Sequence, residues 1–162
     1  MELTVVILLM GIILLITYPR FEGSIFASNI KQASRRLAAT VRYVQNQAAY
    51  KRKIYRINYD MDQNTYWVTI QEKEEDFAAD TSSLGHERKL PKGVSFEDVI
   101  SPRDGKVKEG QTFTRFLPKG IVDRSQIHLK DDAGRRFTLI ILPLTAEIRF
   151  FDTYVEEEWV PQ

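Results

Sequence analysis

The stretch Glu2-Leu3-Thr4-Val5-Val6-Ile7-Leu8-Leu9-Met10-Gly11-Ile12-Ile13-Leu14-Leu15-Ile16-Thr17-Tyr18-Pro19-Arg20 decides how this chain is built. A single carboxylate precedes an uncharged run from Leu3 to Tyr18, and the run ends at Pro19-Arg20. As a helix, about 16 residues span roughly 24 Å, slightly less than the ~30 Å hydrocarbon core of a bilayer. Tyr18 and Arg20 suit the water boundary, where an amphipathic ring and a long cationic side chain are favoured. A secretory signal peptide would carry a basic start and a small-residue cleavage site. Here the start carries only Glu2, and Ile16-Thr17-Tyr18 is bulky, so the segment is read as retained. Glu2 is the anomaly, because a plain membrane anchor needs no acid at its end.

Beyond the run, Ser24 to about Arg52 contains neither Pro nor Gly. Phe26, Ile30, Ala33, Leu37, Val41, Val44 and Ala48 recur at spacings of four and three, which places them on one helical stripe. Lys31, Arg35, Arg36, Arg42 and Gln45 take other angles and face solvent or a partner. Pro19 removes one helical hydrogen bond and Gly23 adds slack, so a kink at Pro19 is expected within one long helix.

The remainder reads as β structure. Lys53 to Asp60 alternates, and Met61-Asp62-Gln63-Asn64 supplies a turn before Thr65 to Gln71 alternates again. The pattern predicts a hairpin with an aromatic-rich inner face. Gln71 to Arg88, rich in Glu and Asp, is expected to be a solvated loop. Further strands are expected at Val94–Val99, Gln111–Leu117, Ser125–Lys130, Phe137–Leu142 and Ile148–Tyr154, with turn residues between them. Leu90-Pro91-Lys92-Gly93-Val94 is echoed by Leu117-Pro118-Lys119-Gly120-Ile121, and both read as turns leading into strands.

Together these elements predict an α+β protein: a long N-terminal helix, transmembrane in its first half and amphipathic in its second, packed on an antiparallel sheet or sandwich. The expected divisions are residues 1–23, 24–52 and 53–162. The 162 residues include 43% hydrophobic residues and a net charge of +1, so no global field points to nucleic acid or anionic lipid. The absence of cysteine excludes disulfides and thiolate metal sites. His86 and His128, far apart on polar segments, are read as surface residues.

Glu2-Leu3, the apolar run, Pro19 and the long amphipathic helix resemble the N-terminus of type IV pilin-like proteins, whose mature ends typically read Phe-Thr-Leu-x-Glu-Leu. Met1-Glu2-Leu3 fits the last three positions, and the separation of Glu2 from Pro19 is kept. The body resembles the minor pseudopilin H group of type II secretion and FimT-like minor pilins (GspH/FimT-like). The pieces that carry this are Arg42 to Ala48, Tyr55 to Asp60, the two Leu-Pro-Lys-Gly segments, Ile127-His128-Leu129, Asp132-Ala133-Gly134 and Ile140 to Thr145. Ala146-Glu147 departs from the family's usual Gly-Arg after that Thr, so a turn there would be rebuilt.

The resemblance implies a structural, non-enzymatic subunit of a periplasmic pseudopilus that drives protein secretion. The alternative is a minor type IV pilin priming a surface pilus for adhesion, motility or DNA uptake. Implied partners are other pseudopilins or pilins, inner-membrane lipid before assembly, and a prepilin peptidase if a leader lies upstream of Met1. That enzyme would also methylate the new N-terminus. The implied location is the bacterial inner membrane, crossed once, with the globular domain in the periplasm.

A carboxylate at bilayer depth is costly unless paired or protonated. The resemblance implies that Glu2 pairs with a neighbour's N-terminal amine and sets axial register. Leu3, Val6, Leu9 and Ile13 would pack the filament core. The bland reading places Glu2 at headgroup level beside a helix N-terminus, which also favours acids. The tail Glu156-Glu157-Glu158 would repel phosphate, so nucleic acid is not an expected partner, despite Arg135-Arg136 and Lys51-Arg52-Lys53. No catalytic constellation, phosphate loop or metal spacing is present, and no cofactor is expected. Asp131-Asp132 with the acidic tail is read as solvated turn and tail in preference to a calcium site.

Overall fold

The structure is a computed structural model describing residues 2–73, 76–144 and 147–157, without the side chains of residues 2, 3 and 13–28. Helix α1 runs Glu2–Lys51 and continues through Pro19. It stops at Arg52, whose φ of 54° is incompatible with a further helical turn. Ile30, Ala33, Leu37, Val41, Val44 and Ala48 are buried, which is the stripe expected from their spacing. Phe26 lies outside the described side chains.

Two antiparallel sheets receive this stripe. The strands of the first are β1 (Tyr55–Asp60), β2 (Thr65–Lys73), β3 (Asp76–Ala79), β4 (Arg88–Lys89) and β7 (Gln111–Phe116). Their order is β3-β2-β1-β7, with β4 on β2 beside β3. The second sheet contains β5 (Val94–Ser101), β6 (Gly105–Val107), β8 (Ser125–Asp131), β9 (Arg136–Ile141) and β10 (Ile148–Phe151), in the order β10-β9-β8-β5-β6. Tyr55, Ile57 and Tyr59 alternate inward, as do Tyr66 and Val68 on the partner strand. With Leu37, Val41 and the inner face of β8, they form one continuous core.

A buried polar thread crosses between the sheets. The Tyr59 hydroxyl donates to Thr114 Oγ1 at 3.2 Å, and Thr114 Oγ1 donates to Ser125 Oγ at 2.8 Å. Burial pushes the Tyr59 phenol well above its ordinary range, so it stays a neutral donor.

Two expectations need correction. The acidic segment after Gln71 is not wholly a loop: β2 extends to Lys73, and Asp76–Ala79 pairs back onto it as β3. Phe77 explains the pairing, since its ring lies 3.4 Å from the Arg56 guanidinium on the outer face of the sheet. Phe113 flanks the same guanidinium at 4.1 Å. The final strand also ends early, at Phe151, and Asp152–Glu157 leaves the sheet as an irregular strap.

Candidate functional site

The apolar tip of α1 is the first candidate. From Val5 to Met10, and again at Ile12, every large side chain is exposed; Val6 keeps 52% and Leu9 54% of its surface. Burying one such side chain contributes roughly 1.5–3 kcal/mol, so a contiguous stretch of them is a surface suited to cover by lipid or other helices. Among the described residues, no helix is long and apolar enough to cross a membrane. Of the residues expected at the filament core, Val6 and Leu9 are exposed. The side chains of Glu2, Leu3, Ile13 and Pro19 lie outside the described residues.

The second half of α1 is fastened to the domain by both Leu-Pro-Lys-Gly turns. Asn29 Nδ2 donates to the carbonyl of Lys92 at 3.2 Å, and Gln45 Nε2 donates to that of Gly120 at 3.3 Å. The two turns differ in backbone. The first places Gly93 at φ 78°, while the second is a 3-10 turn over Pro118–Gly120 with Lys119 at φ 76° and Gly120 at φ 81°. The sequence echo thus marks two docking points for one helix, a role that turn chemistry alone does not reveal.

The third feature lies on the outer face of the second sheet, where residues 152–157 cross β8 and β9. His128 is fully buried here, which corrects its reading as a surface residue. Its Nδ1 lies 2.6 Å from Asp98 Oδ1 and its Nε2 2.9 Å from the Val155 carbonyl. The ring thus bridges the Asp98 carboxylate and the Val155 carbonyl, one on each nitrogen. Tyr154 stacks on the imidazole at 4.1 Å and donates its hydroxyl to Asp98 Oδ2 at 3.1 Å. Burial pushes the Asp98 carboxyl up. The hydrogen bond and charge of His128, with help from Tyr154 and Lys106, outweigh that and hold it below the usual carboxylate range.

The strap is fixed at several further points. Thr138 Oγ1 donates to the Thr153 carbonyl and accepts from the Val155 amide. Gln126 bonds the Glu157 backbone in both directions, donating at 2.8 Å and accepting at 3.1 Å, as a neighbouring strand would. Lys106 pairs with Glu156 at 2.8 Å and Arg124 with Glu157 at 2.6 Å. Two acids of the tail are therefore engaged by the domain's own cations. His86 is exposed, as expected.

Asp131 is not a free turn acid. Its carboxylate accepts from the amides of Ala133 and Arg135 and from Arg135 Nε at 2.8 Å. Among the described residues, no group of three or more His, Cys, Asp or Glu is placed to hold a metal ion. The expected rebuilt turn at Ala146 lies outside the described residues.

No family model matches the chain, and no curated protein matches it. Solved structures do. One structure of the minor pseudopilin EpsH from the type 2 secretion system of Vibrio cholerae superposes with a TM-score of 0.63 at 9% identity, covering 82% of this chain and 99% of that one. A second structure of the same pseudopilin gives a TM-score of 0.60 at 9% identity, covering 76% and 97%. At this identity the likeness concerns the fold: the chain has a pilin-like α+β fold similar to that of a minor pseudopilin, as the resemblance in its sequence implied.

Proposed function

We propose that this chain is a structural, non-enzymatic minor pseudopilin that assembles with other pilin-like subunits into, or at the tip of, a periplasmic filament driving type II secretion. The observation that carries the reading is an apolar helical tip, exposed on every described side chain from Val5 to Met10, on a domain with the fold of a minor pseudopilin. Such a tip requires an apolar environment, and two are available in sequence: bilayer before assembly, filament core after it. In this reading the first half of α1 crosses the inner membrane and the domain lies in the periplasm. Glu2 neutralises a neighbour's N-terminal amine and sets register, while Leu3, Val6, Leu9 and Ile13 pack against adjacent helices. The same subunit design serves surface pili, but the structural neighbours are secretion pseudopilins, which favours secretion.

The test is Glu2→Ala in the full chain, expressed in its own host in place of the wild type. Cross-linking into the filament and secretion should both fall sharply. Unchanged incorporation and secretion would remove the register role. A wild-type chain that never cross-links to any pilin-like subunit would remove the filament reading itself.

A further inference from the structure

Two open clefts of about 390 and 450 Å³ adjoin along the exposed side of α1 and share Arg36 and Ala39. One lies between the helix and the loop before β4, where Arg36 and Tyr43 meet Ser82, Leu84 and Arg88. The other continues toward the helix tip along Lys31, Gln32 and Arg35. Arg88 is held from the loop side, donating to the Ser83 carbonyl at 3.4 Å and to Ser83 Oγ at 3.2 Å.

The charges of this groove are one-sided. Arg103, Arg115, Arg124, Arg135, Arg136 and Arg149 each sit with an Asp or Glu of the domain. Arg35, Arg36 and Arg88 have no acid within ion-pair distance among the described residues, and Lys31 reaches Asp152 only at 3.8 Å. On the loop side the Asp80 carboxylate accepts from Ser82 Oγ, and Glu87, exposed next to Arg88 in the chain, makes no ion pair with it among the described residues. Three uncompensated guanidinium groups on a partly apolar floor of Ala39, Leu84 and Tyr43 make an anion receptor. The planar fork of Arg matches carboxylate oxygens two at a time.

We propose that this groove binds an acidic segment of another protein, with its carboxylates on Arg35, Arg36 and Arg88. Charge complementarity selects the occupant. A nucleic acid would present phosphates along the whole strand, whereas the groove offers three guanidinium groups beside an apolar floor, and Asp152 pairs with Lys31 next to its helix-tip end. A short peptide can place two or three carboxylates on those groups and lay apolar side chains on the floor. The proposal does not depend on the filament reading, since any protein carrying such a segment would fit.

The experiment measures fluorescence anisotropy of a fluorescein-labelled Gly-Glu-Glu-Leu-Glu-Leu-Gly peptide with the full chain in detergent micelles. Saturable binding is expected. It should weaken about tenfold or more in Arg36→Gln/Arg88→Gln, and measurably in Arg36→Gln alone. Arg36 is exposed and its side chain makes no hydrogen bond or ion pair among the described residues, so the single variant separates binding from folding. Arg115→Gln, on the opposite face of the first sheet, should leave affinity unchanged. Absence of saturable binding, or equal loss in Arg115→Gln, overturns the proposal. So does an oligothymidylate of equal charge that binds at least as tightly and is lost with the same variants; that outcome would make the groove a nucleic-acid site.

Discussion

Replacing His128 by Leu removes the buried hydrogen-bond partner of Asp98 Oδ1 and leaves the carboxylate in place. The imidazole is completely buried and the Asp98 side chain retains 2% of its surface, so water cannot restore what the ring supplied. Breaking a buried pair in this way costs about 3–5 kcal/mol, because the remaining charge is uncompensated. For a chain of this size each kcal/mol corresponds to about 2–4 °C in Tm, so the variant should melt roughly 6–20 °C below the wild type near neutral pH.

The sign of the pH dependence is fixed by Asp98. Its folded pKa is depressed, so the stability it contributes is present above its ordinary titration range and is lost as pH falls through the lower folded value. In His128→Leu the burial effect is no longer outweighed, and the carboxyl takes a proton at higher pH. The deficit against wild type should therefore shrink as pH falls from neutral into the acid range. Adding Asp98→Asn should recover more than half of the loss at neutral pH, leaving the unsatisfied Val155 carbonyl at about 1–2 kcal/mol. Thermal melts of the full chain in detergent, followed by near-UV circular dichroism, read all three quantities. A single-variant loss below about 1 kcal/mol, or a deficit that grows on acidification, would refute the reasoning.

Leu37 is fully buried where α1 meets the sheets, so Leu37→Ala should cost about 2–5 kcal/mol; a denaturant midpoint within error of wild type would contradict its core position. Asn64 holds φ 54° in the β1–β2 turn and accepts from the Phe96 amide at 2.8 Å, tying the hairpin to β5. Asn64→Ala loses that acceptor and a residue tolerant of the left-handed region. It should cost about 1–3 kcal/mol, whereas Asn64→Gly should cost less of the backbone part, as urea unfolding of the pair will distinguish.

The elements most legible in the sequence are those whose periodicity is met by local burial. Ile30 to Ala48 bury as their spacing requires, and Tyr55, Ile57 and Tyr59 turn inward as a half-buried strand does. The parts not legible depend on contacts between distant segments. Phe77 is hidden among acids, and its packing on Arg56 two strands away accompanies the pairing of Asp76–Ala79 with β2. His128 lies on a polar segment far from the other histidine, so a solvent-facing side chain is the natural reading. It is buried because the chain returns about 27 residues later to lay Tyr154 and Val155 over it. The available signal is composition: Gln126, His128 and Thr138 place polar groups at neighbouring outward positions of β8 and β9, which suits a covering backbone better than water. The tail acids were likewise visible, but not that Lys106 and Arg124 meet Glu156 and Glu157.

The paired turns that hold α1 have a mechanical consequence. A helix pinned at one point can pivot about it; one pinned at Asn29 and Gln45, roughly 24 Å apart along its axis, cannot. Bending the shaft away from the domain must break one fastening or the other, together with the apolar stripe between them. A pull or twist delivered along the second half of α1 is therefore passed to both sheets at once and not absorbed in a hinge. The domain takes its orientation from the helix that carries it.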